Sequence, residues 1–151
     1  KDFLPNPNGW CDSLRNHYYK YPALIPPMNW IDTIAPRQPS ILKITENKKT
    51  AVPSFLIDCN AGHKLETEEI KNIVLYYSQS ISGLGKLPMQ IQAVDKHFET
   101  TLTLPISNLP EDANVCYVAI SSIDRQNNES PLSTVVQLIK TKSGWLVVNG
   151  K

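Results

Sequence analysis

The chain has 151 residues, a 41% apolar share and a formal net charge of +1. That is enough for one ordinary domain with a buried core plus an attachment. It carries neither the basic run that marks nucleic-acid binding nor an apolar run long enough to span a membrane.

Residues 1–35 differ in texture from the rest. Asn8 can cap a helix, and Trp10, Cys11, Leu14 and Tyr18 follow at helical spacing. The spacing predicts a helix over Gly9–Lys20, ending there because Pro22 disfavours a helical residue before it. Next comes YPALIPPMNWIDTIAP, which mixes four prolines with Tyr21, Ala23, Leu24, Ile25, Met28, Trp30 and Ile31. A free linker would be polar, so this extended strap, Pro22–Pro36, is expected to lie against a surface. The whole chain has 12 prolines against 6 glycines, and their clustering before residue 40 suits a stiff connector.

From Pro36 the pattern becomes all-β. Ser40–Thr45 forms a first strand with Leu42 and Ile44 on one face. Ser54–Cys59 forms a second, with Phe55, Ile57 and Cys59 on one side and Leu56 and Asp58 on the other. Glu69–Ser78 fits either period, but the dense run IVLYY favours a buried strand from about Asn72. Leu87–Val94 alternates Met89, Ile91 and Ala93, and Phe98–Leu104 alternates Thr100, Leu102 and Leu104. Val115–Ile123 and Thr134–Ile139 bring the expected total to seven strands. Their spacing and polar turns predict an antiparallel β-sandwich over 36–140. The tail, 141–151, contains SGWLVVNGK and reads either as an edge strand or as a free end.

Two resemblances sharpen this reading. Leu109-Pro110, the strand VCYVAISSID, the turn DRQNNES and the run PLSTVVQL are similar to the last hairpin of fibronectin type III-like (immunoglobulin-like) sandwiches. The pattern departs from that family at Cys59, where the second strand usually carries tryptophan, and at the corner tyrosine, for which Tyr117 is the candidate. The segment NPNGWCDSLRNHYYKYPALIPPMNWID resembles the end of the catalytic barrel in bacterial glycosyl-hydrolase-like family 10 proteins, some of which continue into a β-sandwich. The resemblance implies a C-terminal fragment whose partner is an upstream (β/α)8 barrel of the same polypeptide. It also implies an extracytoplasmic home, in the periplasm or anchored to the envelope as a lipoprotein. The absence of a secretory signal at Lys1 is no objection to that, if the chain is a piece of a longer one.

Glycoside cleavage ordinarily needs two carboxyl groups flanking one bond, carried in barrels at the C-terminal ends of strands. Here the barrel-like part holds only Asp2, Asp12 and Asp32, and Asp12 suits the positive end of a helix better than acid–base work. No catalytic residue is therefore expected in this piece. His17, His63 and His97 share no ligand spacing, so neither a metal nor a cofactor is expected. Asp124, Asn127, Asn128 and Glu129 match no calcium-loop pattern, and Asn127 or Asn128 better serves a left-handed turn. Asn128-Glu129-Ser130 fits the N-glycosylation triplet by accident.

Two further sets stay open. Cys59 and Cys116 fall on the strands bridged in immunoglobulin sandwiches, and either form a disulfide or pack as two thiols. Trp30, Tyr76, Tyr77 and Trp145 either stack on the sugar rings of a polysaccharide or pack the domain together. The sequence thus points to a non-catalytic accessory domain, with a carbohydrate-binding module as the alternative.

Overall fold

A computed structural model of the chain describes residues 13, 22–48, 52–61, 70–94, 99–109 and 113–149. Among the described residues, eight strands form two antiparallel sheets. They are β1 (Ser40–Asn47), β2 (Ser54–Asn60), β3 (Ile70–Ser78), β4 (Pro88–Ala93), β5 (Glu99–Pro105), β6 (Val115–Asp124), β7 (Val136–Thr141) and β8 (Gly144–Asn149). The first sheet runs β1-β2-β5 and the second β4-β3-β6-β7-β8. The seven expected strands are all present, and the tail supplies the eighth as an edge strand on β7. The helix expected over Gly9–Lys20 lies outside the described residues apart from Ser13.

The sheets stack on one apolar layer. Phe55, Ile57 and Cys59 of β2 and Leu102 and Leu104 of β5 meet Ile73 and Leu75 of β3, Cys116, Val118 and Ile120 of β6, and Leu138 of β7. Each of these side chains is buried, and alternation along these five strands puts them on one face. Trp145 and Val147 of β8 join the layer, and the Trp145 ring stands edge-on to Phe55 with centroids 5.9 Å apart. On the opposite side, Gln92 Nε2 of β4 donates to Thr100 Oγ1 of β5 at 3.1 Å. Polar side chains thus close the gap between those two edge strands.

Two strands break the expected alternation, for one reason. In β1 the register jumps from Ile41↔Cys59 to Lys43↔Asp58, leaving Leu42 as an unpaired bulge residue. Ile41 and Ile44, and not Leu42 and Ile44, face the core, while Leu42 is 56% exposed. In β4 the jump from Leu75↔Gln90 to Tyr76↔Pro88 leaves Met89 as the extra residue. Met89 then packs in the layer between the sheets, while Ile91 packs on the outer face of the second sheet.

That outer face carries a second, smaller core of Val74, Tyr76 and Ile123. Leu24 of the strap covers it, with Leu84, Ile91 and Leu132. Hydrogen bonds pin the strap along the sheet. Met28 N–H donates to the Gln126 carbonyl at 2.8 Å, Ser122 Oγ to the Arg37 carbonyl at 2.7 Å, and the Gln38 side-chain amide to the Leu132 carbonyl. The strap is therefore anchored to the sandwich at Leu24 and Met28, and the chain just beyond it at Arg37 and Gln38.

Candidate functional site

The strap presents two sides. Its inner side covers Val74, Tyr76 and Ile123. Its outer side exposes Ile25, Trp30, Ile31 and Ile34, with Trp30 80% accessible. A turn lifts Trp30 outward, because Ile31 and Asp32 N–H both donate to the Met28 carbonyl, at 2.8 and 3.3 Å. Asp32 Oδ1 accepts from Ile34 N–H at 2.9 Å, so this carboxylate fixes the turn. Four large apolar side chains within ten residues, held outward on a pinned backbone, form the surface best suited to bury against another body.

The β6–β7 connection supports the strap from below, and Asp124 organises it. Asp124 Oδ1 accepts from Gln126 and Asn128 N–H, each at 2.8 Å, and Oδ2 accepts from Asn128 Nδ2 at 3.0 Å. Asn127 takes the left-handed conformation, with φ 65. Both carboxylate oxygens thus face N–H donors, an arrangement that repels a cation. Among the described residues no group of three or more His, Cys, Asp or Glu could hold a metal ion. Asn128 is buried and its amide also donates to the Asp32 carbonyl at 3.3 Å, so the glycosylation triplet offers no accessible acceptor.

The four aromatic candidates are not brought together. Tyr76 is wholly buried, a correction to any role in stacking on sugar. Its hydroxyl donates to Glu129 Oε1 at 2.5 Å, and Ser121 Oγ donates to the same oxygen at 2.6 Å. Burial first, and the Glu129 carboxylate second, push the Tyr76 phenol well above its ordinary value. Tyr77 packs against the inter-sheet layer and its hydroxyl donates to the Asn108 carbonyl at 2.8 Å. Trp145 packs on Phe55. Of the four, Trp30 is the most exposed, while Tyr77 and Trp145 are half-buried.

The sequence placed Tyr77 among the stacking candidates, not at the corner that it ties. Tyr117, the expected corner residue, is half-buried opposite Gln137 on β6, on the side away from Cys116 and Val118. The connection between β5 and β6 is instead tied by the phenol of Tyr77, arriving from β3. No sequence signal distinguishes the two tyrosines, because the link spans 31 residues and depends on how the sheets stack.

Cys59 and Cys116 are free thiols buried in the same layer. Burial, with a smaller contribution from the Asp58 charge, pushes the Cys59 thiol up to about 12, and its Sγ donates to the Thr100 carbonyl at 3.2 Å. Burial also raises Cys116. Asp12, His17, His63, His97 and Cys11 lie outside the described residues. Among the described residues no helix is long and apolar enough to cross a membrane.

No family model matches the chain. It is 30% identical over 133 residues to a protein named glycosyl hydrolase YngK, from Bacillus subtilis (strain 168). The match covers 88% of this chain but only 24% of that protein, so the chain spans about a quarter of the length of the curated relative it matches.

Proposed function

We propose that the chain is a non-catalytic accessory domain at the C-terminal end of a bacterial cell-envelope glycoside hydrolase, where it positions and stabilises a catalytic barrel. The observation that carries this reading is the two-sided strap. One side is hydrogen-bonded to the sandwich, and the other offers Ile25, Trp30, Ile31 and Ile34 to a second body. The relative supplies the candidate for that body, since about three-quarters of its length lies outside the match. The sheet orders β1-β2-β5 and β4-β3-β6-β7 support the fibronectin type III-like assignment, and the glycosyl-hydrolase-like family 10 resemblance of residues 6–32 supports the placement after a barrel. An extracytoplasmic setting belongs to the same reading.

The test is a pair of proteins: the full polypeptide, and the same polypeptide with Ile25, Trp30, Ile31 and Ile34 changed to serine. The expected result is a lower Tm and faster heat inactivation of the catalytic part in the serine variant, with the sandwich still folded. An identical Tm and inactivation rate would overturn the proposal. For glycan stacking by aromatic residues, Trp30 is the exposed candidate, because Tyr76 is buried and Tyr77 and Trp145 pack half-buried against the layer between the sheets.

A further inference from the structure

We propose that the outer face of the first sheet is a binding site for a single neutral pyranose unit. The strap covers the outer face of the second sheet, so this site lies on the opposite side of the sandwich and does not depend on the docking role. A trough of about 360 Å3 opens there, lined by Leu42, Lys43, Asp58, Cys59, Thr100 and Thr101. That volume is near the lower end of the ~300–1,000 Å3 range of small-molecule sites, which suits one ring better than a long segment.

The trough follows from the β1 bulge. Lys43, Asp58 and Thr101 fall in one cross-strand row over β1, β2 and β5. They share the outer face because their neighbours Ile44, Ile57 and Leu102 point into the core. Leu42, squeezed out of register, stands beside that row as an exposed apolar side chain. Cys59 and Thr100 also line the trough, with the Cys59 thiol donating to the Thr100 carbonyl and the Thr100 hydroxyl accepting from Gln92.

The row is chemically complementary to vicinal hydroxyls. Thr101 Oγ1 donates to Asp58 Oδ1 at 2.7 Å, which orients the carboxylate and leaves Oδ2 to accept from a ligand. Among the described residues the ion pair formed is Glu46–Lys48, at 3.3 Å, so the Lys43 ammonium is not closed onto Asp58. A strong acceptor and a strong donor therefore stand on adjacent strands, roughly 5 Å apart at Cβ. One hydroxyl donates to Asp58, its neighbour accepts from Lys43, and the C–H face of the ring lies on Leu42. An anion would meet the Asp58 charge and a cation the Lys43 charge, so a neutral polyol fits best.

The experiment is an NMR titration of the isotopically labelled chain with cellohexaose, maltohexaose and chitohexaose, each to millimolar concentration. The expected result is saturable shifts at the amides of Leu42, Lys43, Asp58 and Thr101 with at least one oligosaccharide. Asp58→Asn and Lys43→Gln should each weaken that binding roughly tenfold or more. Their thermal unfolding and unperturbed spectra should match the parent chain, which separates lost binding from lost fold. Shifts centred on Trp30, no shifts with any of the three sugars, or an unchanged affinity in Asp58→Asn would each overturn the proposal. The result is independent of the barrel-stability test, which reads the other face.

Discussion

Ser130 and Ser133 show how single side chains complete the sandwich. β7 pairs with β6 only over Val115–Val118, so the later N–H groups of β6 need other acceptors. Ser133 Oγ accepts from Ile120 N–H and Ser130 Oγ from Ser122 N–H, both at 3.0 Å, while Ser133 and Ser130 N–H donate back to the Ile120 and Ser122 carbonyls. The run ESPLS thus continues the ladder with hydroxyls where Pro131 interrupts a regular strand. Ser133→Ala should cost about 1–3 kcal/mol in urea unfolding, because it orphans a buried N–H, whereas Ser133→Thr should recover most of that loss. The buried acids give a second prediction. The folded state holds the Cys59 proton from 9.0 up to about 12, and keeps Tyr76 protonated above its ordinary 10.0. The unfolded chain releases both protons earlier. Stability from these groups is therefore complete below pH 9.0 and falls as pH rises, by up to about 1.4 kcal/mol per pH unit for each group. Urea midpoints measured across the alkaline range should decline, and Cys59→Ala should remove the Cys59 share of the decline that begins near pH 9.0, leaving the Cys116 share.

The first strand shows what a bulge does to an element. Leu42 is the extra residue between two correctly phased ones, so deleting it should leave Ile41 and Ile44 facing the core. The expected change in stability is within about 1 kcal/mol, while the outer trough should close and any sugar response vanish. Deleting Thr45 also removes one residue from β1, but to heal the register it would turn Ile44 outward and Lys43 into the core. That variant should lose about 3 kcal/mol or more, since a buried unpaired ammonium replaces an apolar side chain. Comparing the two deletions by chemical denaturation checks the register directly. The same logic explains β4, where Met89 and Ile91 share a parity in sequence yet pack in different cores.

For the whole molecule, two apolar layers share the second sheet: one between the sheets and one between that sheet and the strap. The inner layer carries the fold. Ile57 and Val118 are fully buried on opposite sheets, so Ile57→Asp or Val118→Asp places an unpaired carboxylate where both layers of strands meet. Each should abolish cooperative thermal unfolding at neutral pH, read by circular dichroism. The outer layer fixes the strap so that one side is consumed by the sandwich and the other stays available.

The seven strands from Ser40 to Ile139 were legible in the sequence because a half-buried strand writes its facing directly as a period of two. The strap's attachment was legible as well, since an apolar linker such as this one, carrying Leu24 among prolines, is expected to lie against a surface. The bulges at Leu42 and Met89 were not, because an extra residue is defined only by the partner strand it fails to match. Nor was the fate of the aromatics. Tyr76, Tyr77, Trp30 and Trp145 carry the same local signal, and only the stacking of sheets and strap buried Tyr76, half-buried Tyr77 and Trp145, and left Trp30 outside. Local pattern sets which way a side chain points along its own strand. What lies in that direction is set by segments tens of residues away, and that is a property of the assembled fold.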